Sequence, residues 1–350
     1  MRKKRRVAII FGGSSHEHTI SLLSARHVLA SIDKEKFSVL PIAIDLQGNW
    51  FQINNLEEFF LWDGKVIYAD IPFLEKMDPT LSYLRNTLDV IFPLIHGSPG
   101  EDGGIQGFCT ILSIPCVGAN ILSSALCMDK IIMKKLLQQA GIPTAKYLSC
   151  KRENAPCFEE VTQALGLPLV VKPSNGGSSM GVSKVESIME WREAIKNANS
   201  FSHYLLIEEY IQGRELECSI LGNTNPIVSL PGEIDCIENF YSYNAKYRDE
   251  GLTNLRVPAV LSPYLKREIQ RMALQVFDIM RCSDMARIDF FLSKNEGLFV
   301  NEINTIPGFT QISLYPKLLE INGYTPRELI TTLIELALKS PQEKFASINE

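Results

Sequence analysis

The sequence predicts an α/β protein with two or three domains. Its 350 residues exceed the length of one ordinary domain, which is about 100 to 200 residues. Hydrophobic residues form 45% of the chain and charged residues 21%, a balance that allows large buried cores. Apolar runs at residues 7–11, 38–44 and 88–94 are typical of strands that are buried on both faces of a parallel sheet.

Charge and cysteine content argue against several classes of protein. The 35 basic and 40 acidic residues give a net charge of -5, so the chain as a whole offers no electrostatic reason to bind nucleic acid. The basic residues 2–6 precede only five apolar residues, far fewer than the roughly 20 needed to cross a bilayer, and we expect no membrane partner. Eight cysteines without a C-x-x-C pair indicate reduced thiols and a cytoplasmic location.

The first predicted unit, residues 1–118, is a small doubly wound domain of Rossmann-like type. Gly12-Gly13 forms a turn after the first strand, and the helix that follows has apolar residues at helical spacing. Its predicted elements are strands at 7–11, 38–44, 88–94 and 114–117 and a helix at 19–32.

Two further units mix helices with hairpins, which predicts α+β structure in the C-terminal half. The unit at 119–208 has a predicted helix at 123–141, strands at 167–172 and 205–209, a glycine and serine loop at 173–181 and a helix at 188–198. The unit at 209–340 has strands at 215–221 and 226–230, an irregular segment at 231–258 and a helix at 264–281. Residues 341–350 are expected to form a flexible tail.

A predicted β-hairpin at residues 287–304 has the clearest chemical pattern. Polar and apolar residues alternate on both sides of a four-residue turn at 294–297. If the turn is symmetric, facing residues have numbers that sum to 591, which pairs Leu292 with Phe299, Asp289 with Glu302, and Arg287 with Asn304. Because side chains repeat every second residue, the four polar ones share a face. They predict a magnesium and phosphate site, with a solvated surface salt bridge as the alternative.

A strand that ends at Lys172 leads into the glycine and serine loop. The ammonium group, the loop N–H groups and the hydroxyl groups of Ser178 and Ser179 are suited to phosphate oxygens. The loop has neither the Walker order of residues nor a Rossmann fingerprint, and a plain hairpin turn would explain it about as well. The segment Met128-Asp129-Lys130 lies near the start of the helix predicted at 123–141 and places a second lysine, Lys130, in the same unit. By itself it indicates only a capped helix N-terminus.

Acidic residues lie at the end of the strand at 205–209 and just after it. Glu208, Glu209 and Glu215 could accept hydrogen bonds from an adenine amino group and ribose hydroxyls. Surface acids at a strand end would show the same pattern.

Together these segments occur in the order found in the ATP-grasp ligases, and the chain resembles the D-alanine–D-alanine ligase family. The motifs that narrow the match are residues 12–17, His96-Gly97 with 100–103, Ala245-Lys246-Tyr247 and 304–310. The resemblance covers about residues 6 to 340. It implies an ATP-grasp fold behind the N-terminal α/β domain, and formation of D-alanyl-D-alanine through an acyl phosphate for peptidoglycan synthesis in the bacterial cytoplasm.

The resemblance also implies a role for each candidate site residue, with ATP and two Mg²⁺ (or Mn²⁺) as cofactors, D-alanine as substrate and a homodimer as the assembly. The implied catalytic residues are Glu17, Ser178, Tyr247, Arg287 and Gly308. The residues implied to bind D-alanine are His96, Lys246 and Ser313. The residues implied to bind the nucleotide are Lys130, Lys172, Ser179, Glu208, Glu209, Ile211, Glu215, Phe291 and Asn301. The implied metal ligands are Asp289, Glu302 and Asn304.

Three other readings stay open at this level. A related ATP-grasp ligase could use D-serine or D-lactate as the second substrate, although Glu17 and Tyr247 argue against a quite different one. A non-catalytic nucleotide-binding regulator would be expected to lack Arg287 or a metal ligand. A nicotinamide-dependent dehydrogenase would need a spaced third glycine after Gly12-Gly13, which the sequence does not have.

Overall fold

The computed structural model describes residues 3–77, 80–236 and 253–346. Within these residues the chain forms three β-sheets, of five, four and six strands, with helices packed against them.

The N-terminal sheet has a parallel centre. Its central strands are β1 (Arg5–Gly12), β2 (Phe37–Ile44) and β5 (Val90–Pro93), and two antiparallel strands extend one edge, β3 (Trp50–Ile53) and β4 (Leu74–Met77). Its helices are α1 (His18–Ser31), α2 (Leu56–Leu61), α3 (Leu81–Thr87) and α4 (Gly104–Leu112). The antiparallel edge was not predicted. The strand predicted at 114–117 is wrong, because only an isolated bridge joins Cys116 to Ile91.

Alternate residues of β1 belong to two different cores. Val7 and Phe11 are buried in one that includes Leu22 of α1, whereas Ala8 and Ile10 are buried in another that includes residues of α4. The sheet is therefore covered on both faces, as the continuous apolar run in the sequence predicts.

The central sheet is antiparallel, in the order β6 (Tyr147–Lys151), β9 (Tyr204–Glu209), β7 (Leu169–Pro173) and β8 (Ser183–Val185). Helices α7 (Phe158–Leu165) and α8 (Ile188–Asn199) belong to the same unit. The single helix predicted at 123–141 is in fact two, α5 (Ile121–Met128) and α6 (Lys130–Gln139). They separate at Asp129, whose side chain accepts the N–H groups of Ile131 and Ile132 and so begins α6.

The C-terminal sheet contains β10 (Gly213–Leu221), β11 (Ile227–Val228), β12 (Gly232–Cys236), β13 (Thr253–Arg256), β14 (Met285–Ser293) and β15 (Leu298–Asn304). Helix α9 (Pro263–Ile279) packs against it, and α10 (Leu314–Ile321) and α11 (Pro326–Ala346) follow. The segment predicted to be irregular at 231–258 therefore contains β12 and β13, while residues 237–252 lie outside the described residues.

The last helix packs against the N-terminal unit. Leu333 and Ile334 of α11 are buried in the same core as Val7 of β1. Residues 341–346, which we expected in a tail, continue this helix. The domain limits given above remain a prediction.

The hairpin of β14 and β15 confirms most of the predicted register. Asp289 pairs with Glu302 and Arg287 with Asn304, as predicted. The predicted pair of Leu292 with Phe299 is wrong, because Leu292 pairs with Leu298. The register shifts between Asp289 and Phe290, which leaves Asn301 as the extra residue of a β-bulge. Among the residues described, no helix is long and apolar enough to span a membrane.

Candidate active site

The central and C-terminal sheets enclose a cleft of about 430 Å³. Every residue that the family resemblance implied for nucleotide binding lines this cleft, which we therefore name the nucleotide cleft. From α6, β7, its loop and the end of β9 come Lys130, Lys172, Ser179, Glu208, Glu209 and Ile211. From the C-terminal sheet come Glu215, Phe291 and Asn301, together with the predicted metal ligand Glu302.

The base of the cleft contains a buried carboxylate between two lysines. One oxygen of Glu208 contacts the ammonium group of Lys134 and the other contacts that of Lys172. Burial by itself would raise the pKa of Glu208, but Lys172 and Lys134 outweigh it and hold the pKa below its ordinary value. Glu208 is therefore ionised at neutral pH. Sequence reasoning did not single out Lys134, because a lysine inside a helix gives no signal of burial.

The loop after β7 has a constrained backbone. Ser178 and Ser179 have φ angles of 51° and 56°, in the left-handed region that residues other than glycine rarely adopt. Such residues cost about 1 to 3 kcal/mol each and persist where the surroundings require them. The ammonium group of Lys130 donates to the carbonyl oxygen of Gly176 at 2.7 Å, which ties α6 to the loop.

Glu17 of the N-terminal unit reaches this same loop. The hydroxyl of Ser178 donates a hydrogen bond to Oε1 of Glu17. A Cβ atom at Gly177 would lie 2.8 Å from Oε2 of Glu17, so a larger residue here would displace the carboxylate of Glu17. The carboxylate of Glu17 thus lies beside the loop whose Ser179 lines the nucleotide cleft.

The polar face of the β14–β15 hairpin forms a network. Arg287 donates to both oxygens of Asp289, at 2.8 and 2.7 Å, and Asn304 donates to Oδ2 of Asp289 at 3.0 Å. Oε2 of Glu302 lies 3.6 Å from the ammonium group of Lys130. Asp289, Glu302 and Asn304 therefore present two carboxylates and an amide on one face.

This donor set fits Mg²⁺, which prefers oxygen ligands and usually combines one or two carboxylates with water and phosphate oxygens. No group of three or more acidic, histidine or cysteine side chains suited to a metal ion occurs in the described part of the chain. A metal ion held by Asp289, Glu302 and Asn304 would complete its coordination with water or phosphate oxygens.

Arg287 has a second acidic partner, Glu217 of β10. Nε of Arg287 lies 2.9 Å from Oε2 of Glu217, which is 5% exposed. Burial alone would lower the pKa of Arg287, but Asp289 and Glu217 raise it well above its ordinary value. The guanidinium group is a permanent cation beside Asp289, one of the proposed metal ligands. Nothing in the sequence pattern identified Glu217, since it lies on a strand 70 positions earlier.

His96 lies at the contact between the N-terminal unit and the C-terminal unit. Its ring nitrogens are 3.1 Å from the carbonyl oxygen of Ile306 and 2.9 Å from the hydroxyl of Ser24. Burial, despite the nearby charge of Glu17, lowers the pKa of His96, so the ring is neutral at neutral pH. These contacts give His96 a structural role at this junction, and its predicted role toward D-alanine stays a prediction.

Glu101, which belongs to the 100–103 motif, has specific contacts in the structure. Its carboxyl accepts the N–H of Gly97 at 2.7 Å and that of Ile306 at 3.3 Å. Burial and then the charge of Glu17 raise the pKa of Glu101 to about 8. An acid between glycines, five residues after His96, is the signal that could have identified it.

The segment after β15 forms a tight turn at Gly308 and Ser313. The hydroxyl of Ser313 accepts the N–H of Thr310 at 3.1 Å. A Cβ atom at Gly308 would lie 2.8 Å from this hydroxyl oxygen, so a larger residue here would displace the Ser313 hydroxyl from its hydrogen bond. Phe309 donates its N–H to Ser24 at 3.2 Å and so connects the turn to α1.

The remaining candidates, Lys246 and Tyr247, lie outside the described residues.

The fold and the cleft first define a class. Two sheets that enclose a nucleotide-sized cleft, with lysines and a glycine and serine loop on one side and paired acids on the other, form the ATP-grasp fold. The chain belongs to the D-alanine–D-alanine ligase family. The family model described as D-ala D-ala ligase N-terminus matches residues 6–119, and the model described as D-ala D-ala ligase C-terminus matches residues 136–335.

Curated relatives agree over nearly the whole chain. The D-alanine--D-alanine ligase of Oceanobacillus iheyensis is 45% identical, with 97% of this chain and 96% of that protein covered. D-alanine--D-alanine ligase A of Escherichia coli K12 is 42% identical, with 96% of each chain covered.

Solved structures show the same fold. The D-alanine-D-alanine ligase from Coxiella burnetii has a TM-score of 0.84 at 34% identity, over 99% of this chain and 97% of that one. The VanG D-Ala:D-Ser ligase from Enterococcus faecalis has a TM-score of 0.83 at 33% identity, over 96% of this chain and 100% of that one.

Proposed function

We propose that this protein joins two D-alanine molecules into D-alanyl-D-alanine at the expense of ATP, for peptidoglycan precursor synthesis in the cytoplasm of a bacterium. One observation supports this most directly. The hydrogen bond between Ser178 and Glu17 brings an anion from the N-terminal unit to the edge of the nucleotide cleft. An anion in this position suits the ammonium group of an amino acid whose carboxylate points toward the phosphates.

The reaction follows from the chemistry of the carboxylate. A carboxylate does not condense with an amine in water until it acquires a good leaving group. One carboxylate oxygen of the first D-alanine attacks the γ-phosphorus of ATP, the bond from phosphorus to the bridging oxygen breaks, and ADP leaves. The amine of the second D-alanine then attacks the acyl phosphate carbon, loses a proton, and the tetrahedral intermediate expels phosphate.

Negative charge must be stabilised at two places during these steps. Lys130 and Lys172 line the cleft and would bind phosphate oxygens. Asp289, Glu302 and Asn304 would hold Mg²⁺, which neutralises charge on the transferring group when it is bound. Arg287 and the N–H of Gly308 would stabilise the oxyanion of the tetrahedral intermediate.

A second candidate differs only in the second substrate. The VanG D-Ala:D-Ser ligase covers almost the whole of this chain, so the fold does not separate the two activities. One hydroxyl added to an alanine-sized group is hard to reject by packing alone. D-Lactate, which would give an ester, is less favoured, because the sequence has Tyr247 where a cationic histidine would attract it, and an unperturbed tyrosine phenol is neutral below about pH 10.

The direct test is incubation with ATP, MgCl₂ and single amino acids. We expect D-alanine to give one phosphate per dipeptide, L-alanine to give none, and dipeptide synthesis to rise from about pH 6 to 8.5 as the free amine becomes available. Equal mixtures of D-alanine with D-serine or D-lactate identify the second substrate by mass spectrometry of the products. A predominant D-lactate ester at both pH values would contradict the proposal, and absence of any phosphate release would refute it. Sedimentation of the same preparation tests the homodimer that we propose as its assembly.

A further inference from the structure

A buried lysine lies beneath the nucleotide cleft without lining it. The side chain of Lys134 on α6 is 1% exposed, and its ammonium group contacts one oxygen of Glu208. The same ammonium group donates to the carbonyl oxygen of Ala145 at 3.3 Å and lies 5.3 Å from the ring centre of Tyr147. Lys134 is itself buried and is not among the described residues that line the cleft, so it is not placed to touch the nucleotide.

Lys172 shares the carboxylate of Glu208 with Lys134 but faces the cleft. Its ammonium group contacts the second oxygen of Glu208 and donates to Oδ1 of Asn301 at 3.2 Å. Two ammonium groups and one carboxylate leave a net charge of one positive unit. Since Lys134 is enclosed and Lys172 lines the cleft, this surplus charge is presented to the cleft at Lys172.

The arrangement changes if Lys134 loses its charge. Glu208 would then pair with Lys172 alone, and the two charges would cancel at the base of the cleft. Opposite charges interact strongly where water is excluded, so this pairing would compete with phosphate for Lys172. A phosphate chain would meet a neutral pair instead of a cation.

We propose that Lys134 is a positioning residue for ATP. Lys134 neutralises Glu208, so that the charge of Lys172 remains available to the phosphates. The inference rests on the proposed function only for the identity of the nucleotide, since it concerns binding and requires no ligation. Its signature is an effect that depends on phosphate charge. A purely structural lysine would affect all adenine ligands alike.

The test measures dissociation constants for ATP and for adenosine, without D-alanine, by calorimetry. Lys134→Met retains the aliphatic stem and removes the charge. We expect the ratio of ATP affinity to adenosine affinity to fall about tenfold in this variant. The ratio cancels any change at the adenine site. Lys135→Met, on the exposed side of the same helix, is the matched control and should keep the wild-type ratio.

A double variant completes the test. Lys134→Met with Glu208→Gln removes both charges and leaves Lys172 unpaired, so we expect the ratio to return to within about threefold of wild type. If Lys134→Met does not fold, Lys134→Gln, which also removes the charge, replaces it and should show the same roughly tenfold fall in the ratio. An unchanged ratio in Lys134→Met, or no recovery in the double variant, would overturn the proposal. A wild-type protein that binds ATP and makes no dipeptide would refute the proposed function alone.

Discussion

Arg287 shows how single side chains on neighbouring strands are combined into one site. It is bound by Asp289 on its own strand and by Glu217 on the adjacent strand, and both acids are buried. Two negative charges therefore stabilise its cationic form. Glu302, on the other strand of the hairpin, instead lies 3.6 Å from the ammonium group of Lys130. The acids of this face consequently differ in role, and Glu302 is the one that lines the nucleotide cleft.

Replacement of Glu302 by glutamine tests the metal assignment. Glu302→Gln keeps the shape of the side chain and removes one charge from the proposed ligands, so we expect turnover to fall by on the order of 100-fold. Nucleotide affinity should fall much less, because Lys130 and Lys172 are unchanged. Phosphate release and ATP binding are measured over a range of Mg²⁺ concentrations, with the exposed Glu193→Gln on α8 as the control. Wild-type turnover of Glu302→Gln at every Mg²⁺ concentration would contradict the assignment.

The raised pKa of Glu101 predicts a pH dependence of stability. Its pKa is about 8 in the folded protein and near the ordinary 4.5 in the unfolded chain, so the folded state retains a proton that the unfolded state has lost. This contribution to stability is complete below about pH 4.5 and is lost as the pH rises through about 8.

Melting temperatures of wild type and Glu101→Gln check this prediction. We expect the wild type to lose more stability than the variant between about pH 7 and 8.5, a range above the ordinary titration of histidine. The control is again Glu193→Gln, which should follow the wild type. Parallel pH profiles for the wild type and Glu101→Gln would show that the carboxyl is already ionised in the folded protein.

At the scale of elements, the bulge in β15 has a chemical consequence. In a regular strand neighbouring residues point to opposite faces. The extra residue Asn301 lets two neighbours, Asn301 and Glu302, both line the nucleotide cleft. A symmetric hairpin is the simplest prediction from an alternating sequence. That prediction does not include the bulge, because the side chain of Asn301 contacts Lys172, which is 129 positions away in the sequence.

Deletion of Asn301 tests the element. Every other described pair of the hairpin ladder can persist, so we expect a folded protein. Its ATP affinity should fall several-fold, because Asn301 would no longer line the cleft or orient the ammonium group of Lys172. Asn301→Ala retains the extra residue and removes only the acceptor. ATP affinity is measured by calorimetry and folding by circular dichroism. Equal affinities of the deletion variant and the wild type would contradict a role for the bulge in nucleotide binding.

At the scale of the whole molecule, the site is assembled from all three sheets. Glu17 comes from the N-terminal unit, Ser178 from the loop of the central sheet, and Arg287 from the C-terminal sheet. The junction is reinforced by contacts across the chain, such as those of His96 and Glu101 with Ile306. Relative movement of the sheets would therefore alter the amino acid site and the nucleotide cleft together.

Replacement of Glu17 separates the two halves of this site. Because a charged hydrogen bond is worth about 1.5 to 3 kcal/mol, Glu17→Gln should raise the KM for D-alanine at the first site by about tenfold or more. ATP affinity should change by less than about twofold, since Glu17 is not among the described residues that line the nucleotide cleft. Steady-state kinetics and calorimetry provide the two numbers, with the exposed Glu57→Gln as control. An equal loss of affinity for both ligands would show that Glu17 acts on the fold as a whole.

The amino-acid sequence by itself determined the alternating face of the hairpin, the covered parallel strands and the order of the motifs, because these depend on local periodicity and residue type. Tertiary structure alone decided that Glu208 forms ion pairs with Lys134 and Lys172, and that Glu217 forms one with Arg287. It also decided that the carboxyl of Glu101 accepts the N–H of Ile306. The same holds for the bulge at Asn301, whose side chain accepts a hydrogen bond from Lys172. The physical reason is common to these features: each depends on burial or on a partner that local periodicity does not reveal, such as one brought close only by folding.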